Sequence, residues 1–379
     1  MGLKSLAEVW AGFHTCVKVV NVAGGRQGRV TLRDVAERAG VSVTTASFVL
    51  SGRHDMRISA ATEERVLQAA RMLDYRKRLV PGSAVPTGAP AIGLISDVVA
   101  TEAFGGEMIR GCISAATERG HVVLMCDSEG VDDLEDSVIR ALLARGVDRF
   151  VYATLGTVEY RLPPALAGRP LVRLNNIDPA GPRDVPSVLP DDRRAGRDAA
   201  SALVQAGHGE GIWLVGKVGT GAYAAGRRLA GIEVGLREHG AALAGHLPCG
   251  WWPGEARDAV AALLADGVRP SAVIALNDRA AMGVYQAAAA AGLRIPDDLS
   301  VISFDNSDLA RWLDPGLSSM ALPYFDMGHR AVELLLADAE ADADPEPRAH
   351  RLVMPLSARD SIAGPSVAVS TRRGPGGVI

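Results

Sequence analysis

The sequence predicts a small all-α head joined to a larger α/β body built on parallel sheets. Three observations carry this. Residues 30–75 hold three short helical periods, each preceded by a capping residue. From Ala91 onward, short β-like runs alternate with longer helical stretches, the pattern of parallel sheets covered on both faces. Between the two, residues 76–90 are basic at first and then rich in Pro, Gly, Ser and Thr, the composition of a linker.

In the head, Thr31 caps a first helix whose apolar stripe is Leu32, Val35, Ala36 and Ala39, and Gly40 ends it. Ser42 caps a second, with Val43, Ala46, Val49 and Leu50 on its apolar face. After a polar loop over 51–57, Ser59 caps a third helix. Its first turn carries Glu63 and Glu64, where carboxylates favour the helix dipole, and its stripe is Val66, Leu67, Ala70 and Leu73. In the body the spacing predicts strands at 92–96, 122–126, 150–153, 171–174, 212–215, 272–276 and 301–304. Helices are expected at 106–119, 134–145, 194–206, 224–239, 255–265 and 279–291. These units are too many for one small sheet, so two lobes are expected. Residues 1–29 are read either as a disordered extension or as residues ahead of a translation start near Val30. Residues 363–379 are read as a disordered tail without the leucine heptads of a coiled-coil tetramer.

Composition narrows the function classes. The chain has 379 residues, 48% hydrophobic and 22% charged, which is ordinary for a globular protein. Its net charge of −4 conceals an asymmetry: residues 26–78 carry eleven Lys/Arg against six Asp/Glu, or +5, leaving −9 for the rest. A basic head on an acidic body implies that the head meets a polyanion. No run approaches the roughly 18 apolar residues of a membrane span. The N-terminal stretch 3–22 is interrupted by Glu8, His14 and Lys18, unlike a signal peptide, so a cytoplasmic location is expected. Cys16, Cys112, Cys126 and Cys249 lie far apart, as reduced thiols do, and His246 with Cys249 is too small a set for a metal. Walker, His-Glu-x-x-His and Gly-x-Ser-x-Gly motifs are absent, so neither catalysis nor a cofactor is expected.

The most specific motif is Thr31-Leu32-Arg33-Asp34-Val35-Ala36-Glu37-Arg38-Ala39-Gly40-Val41-Ser42, followed by Thr45-Ala46-Ser47. Two helices crossing steeply need a tight glycine turn, a small residue at the crossing (Ala36) and an apolar plug (Val41). The segment resembles the helix-turn-helix head of the LacI family of bacterial repressors and fills every position of the pattern Thr-x-x-Asp-Val-Ala-x-x-Ala-Gly-Val-Ser. The resemblance implies DNA binding, with the second helix in the major groove. The expected phosphate contacts are the hydroxyls of Thr45, Ser47 and Ser51 and the guanidinium groups of Arg53 and Arg57, and the capping residues Thr31 and Ser42 are counted with them as DNA-binding. Val43, Thr44 and Phe48 stand where base readers sit. Many relatives have Arg at the position of Phe48; Arg grips guanine with two hydrogen bonds, whereas Phe can only pack on a thymine methyl or stay in the core. Relatives also carry a hinge that becomes helical on DNA and wedges a leucine into the minor groove. Pro81, Gly82 and Pro86 argue for a shortened or absent hinge helix, with Leu79 or Val85 as the wedge.

The resemblance extends over 91–362, through Arg110-Gly111, Glu118-Arg119-Gly120, Ala206-Gly207-His208, Ala275-Leu276-Asn277-Asp278 and 301–306. It implies a two-lobed, type I periplasmic-binding-protein-like sensor with parallel sheets. The first lobe would cover about 91–191 and 323–350 and the second about 192–321 and 352–362, with crossings near Asp191, Leu322 and Arg351. Ligands of such folds sit at the C-terminal strand ends, between lobes. Phe104, Trp251 or Trp252, and Tyr324 offer flat apolar faces to a sugar ring. Arg228, Asn277 and Asp305 offer hydrogen bonds, and Asp97 and Asp191 end strands facing the cleft. The expected partners are a near-palindromic operator, a carbohydrate-like effector and a second copy of the chain. Two other readings stay open at this point: a solute-binding protein without DNA function, and a DNA-binding protein whose sensor has lost its ligand.

Overall fold

The computed structural model divides the chain into two units, Met1–Gly82 and Ser83–Ile379. It describes residues 31–50, 58–72, 88–100, 105–181, 185–219, 221–337 and 349–365, with the backbone alone at 48, 60, 64 and 71.

The head is three helices, α1 (Leu32–Ala39), α2 (Val43–Val49) and α3 (Ala60–Met72). Thr31 opens α1 with a capping box: its hydroxyl accepts the Asp34 amide at 3.4 Å while the Asp34 carboxylate accepts the Thr31 amide at 2.6 Å. These bonds from Thr31 hold the Asp34 carboxyl below its ordinary range. Gly40 closes α1 at φ +66°, a left-handed turn that favours glycine. Ser42 then accepts the Thr45 amide at 3.0 Å and Ser59 accepts the Thr62 amide at 3.3 Å. Val35, Ala36, Ala39, Ala46, Val49, Val66, Ala69 and Ala70 form the buried centre. Leu67, expected in the α3 stripe, lies on the surface at 38% exposure. The face through Val66 runs by steps of three and four to Ala69 and Ala70, which leaves Leu67 a quarter-turn away.

The body holds two six-stranded sheets. The first orders as β11-β5-β4-β3-β1-β2 and is parallel throughout. Its strands are β1 (Ala91–Ser96), β2 (Val122–Asp127), β3 (Arg149–Glu159), β4 (Leu171–Ile177), β5 (Ser187–Pro190) and β11 (Ala349–Leu352). The second orders as β12-β10-β9-β8-β6-β7, with only β12 antiparallel. Its strands are β6 (Ile212–Val215), β7 (Leu243–Leu247), β8 (Ala272–Ala275), β9 (Ser300–Asp305), β10 (Ser318–Ala321) and β12 (Leu356–Ser357). Covering helices are α4 (Gly106–Glu118), α5 (Asp132–Leu143) and α11 (Tyr324–Leu335) on the first lobe. The second lobe has α6 (Asp192–Gln205), α7 (Tyr223–Glu238), α8 (Pro253–Ala265), α9 (Asp278–Ala290) and α10 (Asp308–Trp312).

Both sheets are buried on both faces, so their central strands read as unbroken apolar runs. Ile92 and Leu94 pack beneath α4 and α11 while Ile95 packs toward α5. Likewise Ile212 and Leu214 face α6 and α7, and Val215 faces α8 and α9. Glycines let paired helices touch backbone to backbone. A Cβ on Gly111 or Gly328 would strike the partner helix where α4 meets α11, and one on Gly196 or Gly231 would do so where α6 meets α7. The second contact matters for function, because it brings Arg228 of α7 beside the first turn of α6.

The chain passes between lobes three times. It leaves β5 through Asp191 into α6, leaves β10 through Leu322 and Pro323 into α11, and leaves β11 through 353–355 into β12. The third passage begins two residues after Arg351, which lies within β11, paired with Leu189. Five strands were not anticipated: β5, β7, β10, β11 and β12. Four are four residues or shorter, and β7 alternates exposed and half-buried positions at an edge. Among the described residues no helix is long and apolar enough to cross a membrane.

Candidate functional site

Two surfaces carry the candidate chemistry. In the head, Ser42, Val43 and Thr44 are exposed together at the start of α2, and Thr45 and Ser47 are half-exposed behind them. Ala46 and Val49 point the other way, into the core. An apolar Val43 left 43% exposed at a helix start has no packing role. The Ser42 and Thr45 hydroxyls lie 2.8 Å apart and both stay near the surface. Thr31 is exposed at the start of α1. Ser51, Arg53, Arg57 and Leu79 lie outside the described residues, as does the Phe48 side chain.

In the body, residues at the C-terminal strand ends of both sheets come together around Arg228. The guanidinium is buried, donates to the Asp192 carboxylate at 2.9 Å and to the Leu276 carbonyl at 2.6 Å, and lies over the Phe304 ring at 4.6 Å. Asp305 stands 3.6 Å from the same guanidinium. Burial would lower the Arg228 pKa, but the carboxylates of Asp192 and Asp305 outweigh it and raise it. Arg228 is therefore a fixed cation already engaged by protein acceptors.

Asp305 is different. Its side chain keeps 22% exposure, and among the described residues its carboxylate accepts no hydrogen bond. Burial pushes its carboxyl up to about 8, against the pull of Arg228 and with the push of Asp278 and Asp192. Asp278 is sealed: one oxygen accepts Ser303 and Ser319 hydroxyls at 2.5 and 2.7 Å, the other the Ser307 amide and hydroxyl, both at 2.7 Å.

The first lobe supplies groups that are bonded to its own backbone. Asp97 accepts the Val98 amide at 2.5 Å and the Leu155 amide at 3.1 Å, and burial raises its pKa. Tyr324, at the start of α11, donates to the Leu155 carbonyl at 3.1 Å. Burial, then the charges of Asp305, Asp192 and Asp97, drive the phenol pKa up, with Arg228 opposing. Thus Asp97, Arg228, Asp305 and Tyr324, chosen from sequence, come within electrostatic reach of one another.

The other expected residues have defined places. Asn277 caps α9, accepting the Ala280 amide at 2.7 Å and donating to the Trp251 carbonyl at 3.3 Å. Asp191 caps α6 through the Arg194 amide at 3.3 Å. Trp251 packs on the core beside α7, whereas Trp252 is 56% exposed with the Arg279 guanidinium 4.4 Å above its ring. Phe104 lies outside the described residues. Sequence reasoning missed Asp192 and Asp278. Each directly follows a residue that was chosen, and in both pairs the first member caps the helix while the second turns inward. The helical stripe contained the signal: Asp192 shares its face with Ala195, Ala199 and Leu203.

The chain resembles proteins already characterised. Residues 31–77 match the family described as bacterial regulatory proteins, lacI family, and residues 187–362 match the periplasmic binding protein-like domain. The HTH-type transcriptional regulator AscG of Escherichia coli is 29% identical over 350 residues, 89% of this chain and 99% of that protein. The ribose operon repressor of Escherichia coli is 28% identical over 81% of this chain and 92% of its own. Among solved structures, a LacI family transcriptional regulator from Enterococcus faecium with bound ribose is 27% identical. It covers 72% of this chain and 98% of its own, at a TM-score of 0.57.

Proposed function

We propose, from the premise that this chain belongs to the lacI family of bacterial regulatory proteins, that it reads a specific operator with its head and senses a small molecule in the cleft of its body. The observation that carries the reading is the start of α2. Ser42, Val43 and Thr44 are surface-facing on a helix whose opposite side is core, which is the arrangement a major-groove reader needs. Thr31, Thr45 and Ser47 supply phosphate contacts beside them. The Val43 methyls suit a thymine methyl rather than a guanine edge.

The effector is a sugar or related polyol. The rings of Tyr324 and the exposed Trp252 are flat faces a sugar can pack on, and the Asp305 carboxyl, which accepts no hydrogen bond among the described residues, suits its hydroxyls. The ribose named for two relatives fits this chemistry. Effector binding changes the angle between lobes and with it the grip on DNA. The working unit is a homodimer acting in the cytoplasm on a near-palindromic site. Trp312, 76% exposed on α10, and the exposed Ile113, Leu124, Val131 and Leu134 on the first lobe are apolar surfaces suited to a second copy.

The test is selection of bound duplexes from a random pool by the full-length protein at near-physiological salt. One enriched palindrome is expected. Binding without a motif, lost steeply with salt, would overturn the reading. Val43→Ala, at an exposed position, is expected to weaken binding to the enriched motif about threefold to tenfold and to leave non-specific affinity unchanged. Titration of both duplex types measures this.

A further inference from the structure

The Asp305 carboxylate sits on an unusual backbone. Asp305 has φ +106° and Asn306 φ +52°, two successive non-glycine residues in the left-handed region. Such conformations persist only where the surroundings over-determine them, and they concentrate at ligand clamps. Here two independent sets of bonds do so. From within the lobe, the Asn306 amide donates to the Ser319 hydroxyl at 2.9 Å, and that hydroxyl donates to Asp278. From the arm that follows β12, Arg359 donates to the Asn306 side-chain oxygen at 2.6 Å and to the Leu317 carbonyl at 2.6 Å. The arm is anchored in turn, since the Arg359 amide donates to the Ser318 hydroxyl at 2.9 Å and the Ser361 hydroxyl to the Val301 carbonyl at 2.6 Å.

The same turn is tied to the hinge. The Leu322 amide, in the second crossing, donates to the Asp305 carbonyl at 3.3 Å, and the Ala321 amide donates to the Pro355 carbonyl in the third at 2.8 Å. The arm bearing Arg359 is the direct continuation of that third crossing. A rotation of the lobes therefore reaches the Asp305–Asn306 turn along two chain segments, each of which ends in a hydrogen bond to it.

We infer that Arg359 is a positioning residue for the effector site: its fork, delivered by the arm after the third crossing, holds the Asp305–Asn306 turn and so aims the Asp305 carboxylate into the cleft. The inference rests on the reading of Asp305 as an effector contact. Arg359 itself touches neither Asp305 nor the cleft centre. The charged groups that act most strongly on the Asp305 carboxyl are Arg228, Asp278, Asp192 and Arg279.

That separation gives the test opposite signs. In full-length protein labelled with carboxyl-¹³C aspartate, the Asp305 signal is identified by its loss in Asp305→Asn, and its titration is followed in wild type and in Arg359→Met. Deleting a cation can only raise a carboxyl pKa by electrostatics. Releasing the turn into water lowers it. The expected result is a fall of about one unit or more. An unchanged or raised value overturns the inference. Asn306→Gly is the second variant, because it removes the acceptor while tolerating the positive φ, and the same fall is expected. Thermal shift with D-ribose and a panel of related sugars, comparing wild type with Asp305→Asn, tests the effector reading separately. Loss of that reading leaves the titration result standing.

Discussion

The two walls of the cleft use their polar groups in opposite ways. On the first lobe, Asp97, Asn175 and Tyr324 all close on Leu155, at the irregularity within β3. Leu155 alone gives its amide to Asp97 and its carbonyl to both Asn175, at 2.7 Å, and Tyr324. On the second lobe, four ionisable groups gather, Arg228, Asp192, Asp278 and Asp305, and the last accepts no hydrogen bond among the described residues. The contrast teaches that the first wall contributes a fixed shape, whereas the second contributes a carboxyl that still has bonds to make. A site that must both orient a ligand and respond to it needs one wall of each kind.

The strongest way to break this contrast is to strand the central cation. Asp192→Ala leaves the buried Arg228 guanidinium with the Leu276 carbonyl and the more distant Asp305. Removing one partner of a buried pair costs about 3–5 kcal/mol, because the other charge stays desolvated. The expected result is a body that unfolds at markedly lower urea in the full-length protein. A loss below about 1 kcal/mol would mean that Arg228 is hydrated and that the second wall is not held by charge pairing.

A smaller effect sharpens the role of Asp305. Its carboxyl is raised in the folded protein from 3.8 to about 8, so the native state holds its proton where the unfolded chain has released it. The stability tied to that proton is complete below the unfolded value and is lost as pH rises through the folded one. Wild type should therefore lose about 1–3 kcal/mol relative to Asp305→Asn between pH 5 and pH 8. The difference between the two proteins is the measure, because Asp97, Asp192 and Asp278 are also raised by burial and tilt the profile in both. Denaturation midpoints across that range check it. A flat difference would mean that Asp305 is ionised throughout and the cleft is wetter than its geometry suggests.

How far these walls were legible in the sequence follows from the range of their contacts. The head was readable almost residue by residue, because Thr31, Gly40, Ser42 and Ser59 act on groups within three or four positions of themselves. The central strands were readable for a similar reason, since burial on both faces leaves an apolar run. Arg228 and Asp305 could be chosen from the family pattern, but their relation could not. It depends on the close α6–α7 contact at Gly196 and on a backbone turn at Asp305, and neither leaves a periodic trace. Asn277 and Asp191 were chosen as cleft residues, and the structure uses them as helix caps one position before the buried carboxylates. Arg359 lies more than fifty positions from Asn306, its partner, in a stretch with no helical or strand signal of its own.

The mildest change asks whether the first wall is as fixed as its bonds imply. Tyr324→Phe keeps the ring against the first-lobe core and removes only the hydroxyl that donates to Leu155. The Leu155 carbonyl retains Asn175 as a donor, so no acceptor is left bare and the cost should be that of one hydrogen bond, about 0.5–1.5 kcal/mol. Because Leu155 also holds Asp97, the loosening should spread to β1. Amide exchange at Val98 and Leu155 should then rise together, with little change at Ser303 or Ser307. If exchange rises instead around the serines of the second wall, the two walls form one cooperative unit and the division between shape and charge fails. If nothing moves, Asn175 and Asp97 already fix β3 at Leu155, and the Tyr324 hydroxyl is left available to the effector.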